Sequence, residues 1–178
     1  VAGGAEKMDK RARGRHASHK FLGIHDKEFR KTGMDINITT ADKKLTVTLK
    51  NKMTHPLIVQ PARAKFLKIE ISRAGKVIWK NYEKEPSEDK KGYFAYSFTQ
   101  EDKEVIIPAH STGSIVNNVN AESCKVLGYD VPELQKGDKV SVALYVQLAK
   151  SDCAKVISLE ESNLTESSLM KEVIFIQD

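Results

Sequence analysis

From residue 34 onward the chain is written in short runs that alternate apolar and polar residues: MDINITT, KLTVTLKN, AKFLKIEISR, KVIWKNY, GYFAYSF, KEVIIPA, GSIVNNV, KVSVALYVQLA and KEVIFIQ. A period of two places successive side chains on opposite faces of a strand. In KLTVTLKN it sets Leu45, Val47 and Leu49 on one face and Thr46, Thr48 and Lys50 on the other, as expected where one face meets a core and the other water. The clusters ADKK, RAGK, EKEPSEDKKG and QKGDK carry the Gly, Pro and Asp of connecting turns. Helical periodicity is nearly missing. About seven to nine such strands predict an all-β fold: an immunoglobulin-like antiparallel β-sandwich, with a barrel as the second choice.

Some segments read differently. VPELQKGD predicts one helical turn ahead of the long strand, and the polar, Ser-rich SLEESNLTESSLMKE predicts a loop or a short surface helix. Trp79 shares its predicted face with Val77 and is expected to be a core aromatic. The first 33 residues break the pattern altogether. AEKMDKRARGRHASHKFLGIHDKEFRK is basic, rich in His and poor in β-branched residues, so residues 1–33 are expected to form an arm or linker, in part helical, leading into a sandwich of residues 34–178.

Composition adds constraints. The chain has 178 residues, 40% of them apolar, enough for one buried core. Its net charge of +5 is uneven: residues 1–100 hold 22 Lys and Arg against 11 Asp and Glu, and residues 101–178 hold 7 against 13. Such asymmetry has two readings, a solvated lysine-rich surface or a face for an anionic partner. Nucleic acid ranks low, because the basic residues are not interleaved with base-stacking aromatics and no helix-turn-helix or RNP-like pattern occurs. No apolar run reaches the roughly 18 residues that span a membrane. The start VAGGAEKMDK lacks both an initiator Met and a secretory signal, which suggests a mature or excised fragment.

Cys124 and Cys153 are the two cysteines. Their separation excludes a CxxC redox pair, and two thiols alone make no zinc site. A disulfide between them is expected, and with it an oxidising compartment such as a periplasm; two buried free thiols are the alternative. Three of the five histidines, His16, His19 and His25, fall within ten positions. His16 and His19 would share a helix face. No local Asp, Glu or Cys completes a tetrahedron around them, so three readings stand: a small metal site, solvated histidines in a basic tail, or axial ligands for a metal centre held elsewhere.

The run SHKFLGIHDKEFRKTGMDINITTADKKLTVTLKNKMTHPLIVQPARAKFLKIEISRAGKVIWK resembles the β-sandwich region that follows the haem-binding part of periplasmic multihaem c-type cytochromes. The residues that carry the resemblance are His19, Phe21 and Gly23, then Asn51, His55 and Arg63, then Gly75, Lys76 and Trp79. It spans roughly residues 16–82. HPLIVQPAR departs from the family pattern, which has Pro-Thr-Gly after the second His, and the chain holds no Cys-x-x-Cys-His. The resemblance therefore implies a sandwich whose haem c is attached in another region or subunit, in a periplasmic electron-transfer protein. It makes His19 the first candidate axial ligand of haem iron, with His16 and His25 as alternates and His55 as a second ligand or a hydrogen-bonding group near a haem edge. Met8 and Met53 are possible soft ligands, more often gap-fillers. Arg11, Arg13, Arg15 and Lys20 would suit haem propionates or an acidic cytochrome surface.

Independent catalysis finds little support. HSTG and scattered Ser, His and Asp offer the residue types of a triad without a nucleophile elbow, and carboxylate-rich SLEES and SEDKK read as solvated surface. His110 sits between Pro108 and Gly113 in an ordinary turn. A different class of function remains as the alternative: a secreted sandwich domain that binds a protein, a carbohydrate or a metal ion with no redox role. The partners expected are a cytochrome domain or subunit, with a homo-oligomer left open.

Overall fold

The structure, a computed structural model, describes residues 23, 24, 26–106, 108–156, 158 and 165–178. Ten strands dominate it: β1 (Met34–Ala41), β2 (Lys44–Asn51), β3 (Ala64–Arg73), β4 (Lys76–Lys80), β5 (Tyr93–Gln100), β6 (Lys103–Val105), β7 (Gly113–Asn117), β8 (Cys124–Asp130), β9 (Lys139–Gln147) and β10 (Ser167–Ile176). Two short helices, α1 (Lys27–Arg30) and α2 (Ser151–Val156), join them. The first sheet has the order β1-β2-β8; the second runs β10-β9-β3-β5-β6, with β4 also on β3 and β7 also on β5. Every pairing is antiparallel. The expected all-β sandwich is what forms.

The core follows from the period of two. Met34 and Ile36 of β1, Leu45, Val47 and Leu49 of β2, and Leu127 and Tyr129 of β8 meet Leu67, Ile69 and Ile71 of β3, Val140, Val142, Leu144 and Val146 of β9, and Met170 of β10 in one cluster. The β3–β4 hairpin turns through Ala74 (φ 49°) and Gly75 (φ 80°), the two left-handed positions that a tight two-residue turn demands. Arg73 at the end of β3 reaches Asp138 through two parallel hydrogen bonds, Nε to Oδ1 at 2.9 Å and Nη2 to Oδ2 at 2.8 Å. This guanidinium holds the Asp138 carboxyl down at about 2 and ties the hairpin to the loop before β9.

One core-facing position of β3 is charged. Lys65 lies in register with Phe94 and Val146, is 7% exposed, and donates from Nζ to the Leu57 carbonyl. Burial, assisted by the nearby Arg63 charge, lowers its pKa from 10.5 to about 8. The unfolded chain then binds a proton near pH 10 that the folded chain takes up only near pH 8. The Lys65 contribution to stability should therefore rise as pH climbs from about 8 to about 10.5 and stay constant between about pH 6 and 8. Lys65→Met removes the titrating group, so thermal melts across this range are expected to show the rise in the parent and none in the variant.

Several sequence expectations are corrected. The expected Cys124–Cys153 disulfide does not form: both thiols are free. Cys124 opens β8 on the outward face of the three-stranded sheet, exposed, whereas Cys153 lies half-buried in α2, beyond the end of β9 in the other sheet. VPELQKGD contains no helical turn; its Val131 is buried and Gly137, at φ 89°, makes the turn into β9. The end of SLEESNLTESSLMKE is strand, because β10 already begins at Ser167. Val77 and Trp79 do not share an environment: a register shift between Ile71 and Ser72 leaves Val77 54% exposed, while Trp79 packs on the core with its ring edge-on to Tyr129 at 6.1 Å.

Candidate functional site

The arm joins the sandwich through α1. Asp26 caps this helix, its side chain accepting from the backbone N–H of Glu28 at 3.1 Å and of Phe29 at 2.8 Å, the usual work of an Asp at a helix start. Ile24 packs against the core, and Arg30 donates back to its carbonyl at 3.3 Å. Gly33 then accepts from Lys52 N–H at 2.9 Å, and the flexible end of Met53 packs over it, Sδ lying 2.9 Å from where a Cβ on Gly33 would stand. The arm thus enters the fold directly beside the turn that follows β2.

That turn carries His55, and Asn51 builds it. Asn51 is wholly buried at the end of β2, and its amide Nδ2 donates to the carbonyls of His55 (2.9 Å), Asn120 (2.9 Å) and Val119 (3.3 Å). Its Oδ1 accepts from Met53 N–H at 3.0 Å. One side chain therefore clamps residues 51–55 to the crossing between β7 and β8, where Leu57 N–H also donates to Val119 at 2.9 Å. Polar atoms buried this deeply are costly unless all are bonded, and here they are.

His55 itself is exposed. Its Nδ1 lies 2.8 Å from the Pro56 carbonyl. A carbonyl only accepts, so Nδ1 carries the proton and the Nε2 lone pair faces outward. This tautomer, fixed by a backbone carbonyl, is the arrangement that metal-ligating imidazoles use. A lone imidazole set this way offers one donor nitrogen and does not by itself close a metal site. Among the described residues no group of three or more His, Cys, Asp or Glu converges as a metal cage. His16, His19 and His25 lie outside the described residues. His110 is exposed in a short 3₁₀ turn, Pro108–His110.

A second polar centre, missed in the sequence, links the two sheets. Asp89 is buried after the 3₁₀ turn Pro86–Glu88. Its Oδ2 accepts from Asn81 Nδ2 at 2.6 Å and Tyr129 Oη at 2.9 Å, and its Oδ1 from the N–H groups of Lys91 and Gly92, both at 3.1 Å. Asn81 in turn fills the gap along β3 between β4 and β5, bonding Leu67 O at 3.0 Å and Ile69 N at 2.8 Å. Burial, with the Asp89 carboxylate beside it, pushes the Tyr129 phenol far above its ordinary value. A phenol held this firmly protonated is a structural donor and no proton carrier.

No protein-family model matches the chain, and no curated protein matches it. Among solved structures, a penta-heme cytochrome c552 from Thermochromatium tepidum is similar in fold, with a TM-score of 0.80 and 23% sequence identity over 99% of this chain. The chain spans about half of that protein's length, 49%. What the two share, at this identity, is a fold.

Proposed function

We propose that this chain is the non-catalytic β-sandwich part of a periplasmic multihaem c-type cytochrome, an electron-transfer protein, and that its histidine arm supplies an axial ligand to a haem bound elsewhere. The observation that carries the reading is the fold likeness to a penta-heme cytochrome over 99% of this chain, joined to the motif residues His19, Gly23, Asn51, His55 and Trp79. The chain has no Cys-x-x-Cys-His, so covalent attachment of haem c falls to another region or subunit.

Haem, when bound, supplies reversible one-electron chemistry. The residues of this chain hold and orient. His19 is the first candidate donor, with His16 and His25 as alternates, all on the arm that α1 fastens to the sandwich. His55, its Nε2 lone pair turned to solvent by the Pro56 carbonyl, stands on the turn beside the arm's point of attachment. The basic arm residues Arg11, Arg13, Arg15 and Lys20 suit anionic propionates or an acidic protein surface.

An ultraviolet–visible spectrum of the native full-length gene product, oxidised and then reduced with dithionite, tests this reading. A sharp c-type α band is expected; a colourless preparation would overturn it and leave the binding-domain alternative. With haem present, His19→Ala is expected to shift the potential and spectrum of one haem, and His55→Ala to do so less. Unchanged redox behaviour in His19→Ala strikes His19 from the ligands.

A further inference from the structure

Sheet edges usually carry guards, because a row of free N–H and C=O groups invites another strand. Several edges here are guarded: β6 is charged at Lys103 and Glu104, and β1 carries Asp35 in an ion pair with Lys52 at 2.8 Å. β4 begins and ends in Lys76 and Lys80 and pairs through an irregular register. β10 carries Lys171 and Glu172 beside a bulge. β8 has Lys125 and Asp130, and the Lys91 ammonium donates to its Gly128 carbonyl at 2.9 Å. β7, GSIVN, has no charged residue and no proline. It pairs with β5 on one side and with no other strand among the described residues. Gly113 to Val116 are all exposed, Ile115 by 62% and Val116 by 46%.

The charges at the two ends of β7 are opposite. At Asn117 the side chain is surrounded by lysines: its Nδ2 donates to the carbonyls of Lys90 (3.0 Å) and Lys91 (3.2 Å), and the Lys125 ammonium donates to its Oδ1. Beyond Gly113 stands the β5–β6 turn, with Glu101 and Asp102 exposed and Lys103 following them. An antiparallel pairing of β7 with a second β7, centred on Ile115, sets Asn117 of each copy opposite Gly113 of the other. The lysine end of each strand then lies about two strand spacings, roughly 10 Å, from the acidic turn of its mate, about one Debye length at 0.1 M salt, so the attraction acts at low ionic strength and fades as salt is added. Parallel pairing would bring like charges together.

We propose that β7 is a dimerisation edge: a second copy of this chain adds its own β7 antiparallel, making one sheet continuous across a two-fold axis with the Ile115 side chains paired on it. An isologous contact of this kind closes on itself and stops at two copies. The occupant is argued from charge and edge chemistry alone and does not depend on the haem reading.

Sedimentation velocity of the full polypeptide from micromolar to millimolar concentration tests it. A concentration-dependent dimer that weakens with added salt is expected. Ile115→Lys, at an exposed position, should abolish the dimer while leaving the far-ultraviolet circular dichroism intact, and Ile174→Lys on β10 should leave the dimer unchanged. Lys90→Glu with Lys91→Glu should weaken it at least tenfold, and adding Glu101→Lys with Asp102→Lys should restore it. A chain that stays monomeric at millimolar concentration overturns the proposal, as does a dimer that survives Ile115→Lys.

Discussion

Replacing Asp89 with alanine is expected to destabilise the sandwich by about 3 kcal/mol or more, since buried donors left without an acceptor cost ~1–3 kcal/mol each. Four are stranded at once: the Asn81 amide, the Tyr129 hydroxyl and the N–H groups of Lys91 and Gly92. For a domain of this size the loss reads as a fall of roughly 10 °C in Tm. Asp89→Asn keeps the shape and should fare little better. All four partners are donors, so an amide must turn its own NH2 toward two of them. Gly92→Ala attacks the same centre from outside, because the added methyl would stand 2.8 Å from Tyr129 Oη and closer still to Asp89. If Asp89→Asn melts with the parent, the carboxylate is not what joins these sheets.

Asn51→Ala is the second large effect, with an expected cost of about 2–3 kcal/mol. Three carbonyls, of His55, Val119 and Asn120, lose their donor, and Met53 N–H loses its acceptor. Asn51→Asp should be worse than alanine at neutral pH, because it turns a negative oxygen toward three carbonyl oxygens. Hydrogen exchange separates this from a general loss of stability. Residues 52–55 and 118–123 should exchange faster by a larger factor than β3 and β9, whose amides sit in the centre of the seven-stranded sheet. Equal acceleration everywhere would mean that Asn51 does not organise the His55 turn.

The period of two made most of the fold legible. β2 and β3 coincide with the runs KLTVTLKN and AKFLKIEISR, because the inward positions are apolar apart from Asn51 at the end of β2 and Lys65, which is long enough to pack by the stem. β8 escaped notice, though Leu127 and Tyr129 keep the spacing. Its outward positions are Cys124, the exposed Val126 and Gly128, so the contrast between faces that marks a half-buried strand is blurred. α2 gave no signal of its own, since SDCAKV is too short to show a helical period. The polar centres were not legible as centres: Asn51 stood out only through the resemblance, and SEDKK, read as solvated surface, holds the buried Asp89. Asn51 met Val119 and Asp89 met Tyr129 only through tertiary packing, across separations of 68 and 40 residues. His55 was singled out by resemblance, but the lone pair on Nε2 became visible only with the Pro56 carbonyl in place.

The strand order also sets a timetable for synthesis. β2 must wait for β8, since Lys44 pairs with Asp130 and Lys50 with Cys124. β3 must wait for β9, since Ala64 pairs with Gln147. Between Asn51 and Gln147 a ribosome adding ~5–20 residues per second needs roughly 5–20 s. Through that interval the hairpin of β1 and β2 is ready, yet Leu45, Val47 and Leu49 have no second sheet to cover them. The nascent chain is therefore a natural client for holding chaperones, and slowed translation ahead of β9 lengthens the period in which it can aggregate.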